Sequence, residues 1–143
     1  MPKNIGKTFE ELEKIVRRLQ SSSGCPWDRK QTHASLKPYM IEEVYEAIEA
    51  IDEKNYSHLA EELGDMLLHI LMHAEMGRRA KTFDIEEIIK NITEKMIRRH
   101  PHVFKNKEKN KSIRAIKQEW ERIKLEEKKL KKPRQASKPQ KNA

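Results

Sequence analysis

Three features of this 143-residue sequence predict an all-α fold. Apolar residues recur at helical spacing in five segments, and no segment alternates as a strand does. Two acidic pairs, Glu43-x-x-Glu46 and Glu62-x-x-Asp65, keep the i, i+3 spacing that sets both carboxylates on one side of a helix. The expected architecture is a helical bundle of about four core helices with an extra C-terminal docking helix.

Thr8 with Glu11 reads as a capping box that opens the first helix, with Phe9, Leu12, Ile15, Val16 and Leu19 on one face. Ser21-Ser22-Ser23-Gly24 ends it, and loop or short turns are expected to about Lys37. Pro38 suits the first turn of a second helix running to about Lys54. There Ile41, Val44, Ile48 and Ile51 form an aliphatic stripe that is expected to enter the core, with Glu43 and Glu46 roughly opposite. The third helix, about Ser57 to Arg79, is apolar on most sides and should be buried on most sides. Asp84 with Glu87 opens a fourth, with Ile85, Ile88, Ile89, Ile92 and Met96 inward, and it stops near His100-Pro101. A Lys/Asn-rich connector leads to a last helix from about Ser112, whose narrow seam of Ile113, Ile116, Trp120, Ile123 and Leu130 suits docking.

The length fits one domain, expected over residues 1–132, with a basic disordered tail at 133–143. With 36% apolar and 38% charged residues, the chain reads as a small helical protein that can complete its core by oligomerising. A single cysteine excludes an intramolecular disulfide and a Cys-based zinc site. No signal peptide or 18-residue apolar stretch is evident, so a soluble, cytoplasmic protein without a membrane partner is expected. The net charge of +8 is unevenly placed: residues 1–104 carry 16 Lys/Arg and 18 Asp/Glu, and residues 105–143 carry 15 and 5. The basic segment is expected to be a solvated helix face and tail rather than a nucleic-acid site.

The acidic pairs carry the chemistry. An isolated Glu-x-x-Glu is ordinarily a solvated surface, but the second pair is embedded in an apolar helix, where unpaired carboxylates are costly. Two antiparallel helices joined near Asn55-Tyr56 bring four carboxylates around one point. Such oxygens suit hard divalent cations, and Mg2+ sites commonly combine carboxylates with a substrate's phosphates. His69 and His73 follow Asp65 at i+4 and i+8, yet the paired Glu-x-x-His motifs of a di-iron bundle are missing, so core histidines are expected. Cys25 lacks an evident base partner and reads as structural, and His100 and His102 flank Pro101 as capping or packing groups.

Gly24-Cys25-Pro26-Trp27-Asp28, Glu42-Glu43-Val44-Tyr45-Glu46, Glu61-Glu62-Leu63-Gly64-Asp65 and Arg98-Arg99-His100-Pro101-His102-Val103-Phe104 stand in an order that resembles the MazG nucleoside triphosphate pyrophosphohydrolases, over roughly residues 8–130. The resemblance implies an all-α NTP pyrophosphatase fold, a Mg2+-dependent site with Mn2+ as possible substitute, and a homo-dimer or higher oligomer. It implies hydrolysis of nucleoside triphosphates, ribo or deoxy, to monophosphate and pyrophosphate in nucleotide-pool sanitation or regulation. By motif, Glu43, Glu46, Glu62 and Asp65 are the metal ligands and catalytic set, and Glu42 or Glu61 can orient water. Lys95 and Arg99 fall where the family holds phosphate. Trp120 and Lys124 match its Trp-x-x-x-Lys, placing Trp120 to stack on a base and Lys124 to reach a phosphate. The alternative is a non-catalytic helical module that binds nucleic acid or a protein partner through its basic C-terminal segment.

Overall fold

Seven helices form the regular structure of residues 4–131, the part of the chain that the computed structural model describes. No strand occurs among the described residues, so the fold is all-α. The expected tail at 133–143 lies outside them. By contacts the chain divides into two units, Met1–Ile88 and Ile89–Ala143.

In the first unit, α1 (Ile5–Leu19) begins one turn before the expected capping box. Asn4 is its N-cap and accepts from the Lys7 amide at 3.0 Å, while the Thr8 hydroxyl bonds back to the Asn4 carbonyl. Helix α2 (Pro26–Lys30) is a single turn within the stretch expected as loop. Helices α3 (Lys37–Asp52) and α4 (Tyr56–Ala80) form an antiparallel hairpin, with Asn55 capping α4 through the His58 amide. Helix α1 packs on α4. Val16, Leu36, Leu71, Met72 and Met76 make the core, flanked by Phe9, Leu12, Leu67, Leu68 and Ile85.

The inward face of α3 is not the expected one. Ile41 is 58% exposed, and Val44, Ile48 and Ile51 are exposed with it. The buried residues of α3 are Ala47 and Ala50, the latter 0% exposed. At about 100° per residue, Leu36, Glu43, Ala47 and Ala50 share one face. Two alanines let α4 approach closely, so the side bearing the carboxylates turns inward and the aliphatic stripe is left outside.

Helix α5 (Ile85–Arg99) begins in the first unit and ends in the second. None of its residues is fully buried, and Ile89 and Ile92, expected inward, are exposed. In the second unit, α6 (Pro101–Phe104) is one turn, and α7 (Ile113–Leu130) is capped by Ser112 through the Ala115 amide. Ile123 is buried, whereas Ile113 and Leu130, the ends of the expected seam, are exposed.

Candidate metal centre

Close approach of α3 to α4 brings the acidic pairs together. Glu43, Glu62 and Asp65 each offer an oxygen within 4.8 Å of the others. Glu46, one turn along α3 from Glu43, stands against Glu62, and that contact is the main cause of its raised pKa. Glu62 is only 7% exposed. Its Oε1 accepts a hydrogen bond from His58 Nε2 at 3.0 Å.

The cluster holds more negative charge than its surroundings can stabilise. Burial raises Glu43 to about 7, helped by its contact with Glu62 and by the charges of Asp65, Glu46 and Glu62. Glu62 is lowered, chiefly by its contact with Glu46 and then by Glu43 and His58, against an opposing effect of burial. Proton affinity is thus moved toward Glu43 and Glu46 and away from Glu62. Even so, Glu43 Oε2 and Glu62 Oε2 are buried without a hydrogen-bond partner. An oxygen left without a partner in this way is unfavourable for the protein alone. A donor set made only of carboxylate oxygens, two of them unsatisfied, fits a hard divalent cation of the Mg2+ or Mn2+ type.

His58 escaped the sequence reading, although its i, i+4 spacing to Glu62 was visible. By holding Oε1 it leaves Oε2 free, the arrangement in which an outer group orients a metal ligand. His69 follows Asp65 by one turn of α4 and feels its charge, while burial, the larger effect, lowers its pKa. His69 is buried with Nδ1 unpartnered. His73 Nδ1 lies 2.7 Å from His33 Nδ1, and its Nε2 lies 3.1 Å from Met40 Sδ. Cys25 is the N-cap residue of α2, and its amide donates to the Leu19 carbonyl.

The expected substrate-binding residues belong to the second unit or to the part of α5 within it. Arg99 Nη2 lies 3.0 Å from Glu127 Oε2, and Arg98 Nε lies 2.6 Å from Glu127 Oε1. These two guanidinium groups, Arg99 first, hold the Glu127 carboxyl down to about 2. The Arg99 guanidinium lies 5.2 Å from the Trp120 ring centroid, and the His100 ring meets Trp120 edge-on at 5.1 Å. Arg99 and Trp120 are therefore brought together. Lys124 lies 3.7 Å from Glu121 instead, and Lys95 is half-buried. Trp120 has Arg99 against its ring, a tertiary arrangement invisible in the Trp-x-x-x-Lys spacing.

Together these features define an all-α protein with a carboxylate cluster between two antiparallel helices. Residues 31–104, which contain all four acidic ligand candidates, match the MazG nucleotide pyrophosphohydrolase domain. A Thermotoga maritima protein described as nucleoside triphosphate pyrophosphohydrolase/pyrophosphatase MazG is 53% identical over 130 residues, covering 91% of this chain and 49% of that protein. The Escherichia coli K12 nucleoside triphosphate pyrophosphohydrolase is 39% identical over 120 residues, 83% of this chain and 45% of that one. The crystal structure of a mazG-related protein from Thermotoga maritima superposes with a TM-score of 0.67 at 31% identity, covering 81% of this chain and 98% of that one. The chain belongs to the MazG nucleotide pyrophosphohydrolase family. It spans about half the length of these two curated relatives.

Proposed function

We propose that this chain hydrolyses nucleoside triphosphates, ribo or deoxy, to the monophosphate and pyrophosphate, in sanitation or regulation of a cytoplasmic nucleotide pool. The observation that carries the reading is the cluster of Glu43, Glu62 and Asp65 with two buried, unpartnered oxygens, Glu46 standing beside it against Glu62. Glu43, Glu46, Glu62 and Asp65 hold Mg2+, with Mn2+ able to replace it. When bound, the cation supplies charge neutralisation at the phosphate oxygens and a more acidic water. His58 fixes the Glu62 carboxylate. Glu42 or Glu61, both exposed beside the ligands, orients the attacking water. Lys95, Arg99 and Lys124 contribute positive charge for the phosphates, with Trp120 carrying the Arg99 guanidinium across its ring.

Residues 1–132 act as one catalytic domain in this reading, and the active form is a homo-dimer or higher oligomer. The exposed stripe of Ile41, Val44, Ile48 and Ile51 supports this, since so large an aliphatic face is costly in water and lies away from the carboxylates. The test is product analysis with a panel of NTPs and dNTPs, in Mg2+ and then in EDTA. Pyrophosphate with the matching monophosphate, lost in EDTA, is the expected result. Orthophosphate with a diphosphate, or release unaffected by EDTA, overturns it.

A further inference from the structure

Arg98 and Arg99 end α5, and both guanidinium groups converge on one carboxylate of α7 within the second unit. Arg98 Nε donates to Glu127 Oε1 at 2.6 Å. Arg99 grips both oxygens, donating from Nη2 to Oε2 at 3.0 Å and from Nε to Oε1 at 3.4 Å. A planar guanidinium that holds two oxygens of one group is also the fork that recognises phosphate. The side chains of Glu127 and Arg99 are largely buried, at 14% and 16% exposed, while Arg98 is half-exposed. The cluster is short of anions. Two guanidinium groups bring two positive charges and about ten N–H donors, against which Glu127 supplies one charge.

Arg99 does not depend on Glu127 alone for its place. Its guanidinium lies against the Trp120 ring, and the His100 ring meets the same indole edge-on. His100 Nδ1 in turn lies 2.6 Å from the Met96 carbonyl oxygen. Trp120 and Glu127 stand seven residues apart on α7, hence on one side of it. The carboxylate can therefore leave while the aromatic seat keeps the arginine. A cavity of about 470 Å³, lined in part by Arg98, Glu127 and Lys105, gives it room to move. Lys105 on that wall offers the displaced carboxylate another cation. Neutral pH does not release Glu127, because Arg99 and then Arg98 hold its carboxyl down to about 2. A competing anion can.

We propose that Glu127 is a built-in competitor for phosphate: its carboxylate fills the Arg98–Arg99 cradle in the empty protein and gives way to a phosphate group of the substrate. The inference deepens the function given above and rests on its assignment of Arg99 to the phosphates. Exchange of one anion for another leaves no guanidinium buried without a partner. The carboxylate returns as the product departs, so Glu127 weakens retention of substrate and product alike.

Isothermal titration with inorganic tripolyphosphate in Mg2+ tests this without turnover. Glu127→Gln is expected to bind about tenfold more tightly than the parent, the lower end for a charge-assisted contact because Arg98 is half-exposed. Glu126 is one residue away and pairs with Arg122, so Glu126→Gln removes an equal charge outside the cradle. It is expected to stay within about twofold of the parent, as a screened surface charge should. In Glu127→Ala, acetate at constant ionic strength is expected to refill the cradle and weaken tripolyphosphate binding, with the parent unaffected. Binding in Glu127→Gln no tighter than in the parent, with helical circular dichroism intact, overturns the proposal and leaves Glu127 a strut between α5 and α7. Equal tightening in Glu126→Gln and Glu127→Gln overturns it too, since net charge alone then explains the gain. So does tripolyphosphate that binds neither the parent nor a variant. Pyrophosphate release by the parent, measured separately, decides the function itself.

Discussion

Proton release on metal binding follows directly from the Glu43 carboxyl at about 7. A cation needs the carboxylate, so binding must displace whatever proton Glu43 holds. With a pKa of about 7, roughly nine-tenths of Glu43 is protonated at about pH 6 and one-tenth at about pH 8. The apparent Mn2+ affinity should thus weaken about tenfold as pH falls from about 8 to about 6. Proton release per bound ion should rise from about 0.1 to about 0.9 over the same interval, with Glu46, also raised, adding to it. Isothermal titration of nucleotide-free protein with Mn2+, in two buffers of different ionisation enthalpy, measures both quantities. Affinity that stays constant from about pH 8 to about pH 6, with no proton release, refutes the claim that Glu43 is a ligand held partly protonated by its acidic neighbours.

Stability of the apo-protein should depend on pH in opposite ways at two carboxyls. Folded Glu43 holds its proton more tightly than the unfolded chain does, so its contribution is fully present below about pH 4.5 and lost as pH rises through about 7. Glu43→Gln should accordingly melt higher than the parent at about pH 8 without divalent ions, as seen by circular dichroism. Glu127, held down to about 2 by Arg99 and Arg98, contributes above its unfolded pKa and loses that contribution as pH falls from about 4.5 toward 2. Glu127→Gln should cost on the order of 1 kcal/mol at neutral pH, much of the interaction being screened at Arg98, and Trp120 emission should report it. Ala50→Leu overpacks the α3–α4 contact; a cost of about 1–3 kcal/mol and loss of Mn2+ binding are expected by calorimetry. Ile48→Glu places a charge in the exposed stripe and should shift the sedimentation profile toward monomer while leaving helical circular dichroism intact.

The long helices were legible because periodicity and caps agreed: α3, α4, α5 and α7 begin within a few residues of the positions read from Pro38, Ser57, Asp84 and Ser112. The convergence of Glu43, Glu62 and Asp65 was legible from spacing together with a short turn. Orientation was harder. A search for large aliphatic residues assigns the core face of α3 to Ile41, Val44, Ile48 and Ile51, and it overlooks that Ala47 and Ala50 permit the closer helix contact. The start of α1 was missed because Asn4 and Thr8 are both competent caps, and the choice depends on which side chain reaches an amide. Helix α2 depends on Arg29 reaching back to Ser21 and Ser22, a contact with no periodic signature. The grip of Glu127 on Arg98 and Arg99 joins residues almost thirty positions apart, and only the folded second unit reveals it.

The most direct test compares the parent and Glu62→Gln in one assay: pyrophosphate release from a saturating nucleoside triphosphate in Mg2+, with Mn2+ binding followed on the same samples by electron paramagnetic resonance. Metal-dependent turnover and tight Mn2+ binding in the parent, both lost in a Glu62→Gln protein of unchanged helicity, are predicted. Turnover that survives in Glu62→Gln, or Mn2+ bound as tightly as in the parent, would contradict a metal centre built between α3 and α4.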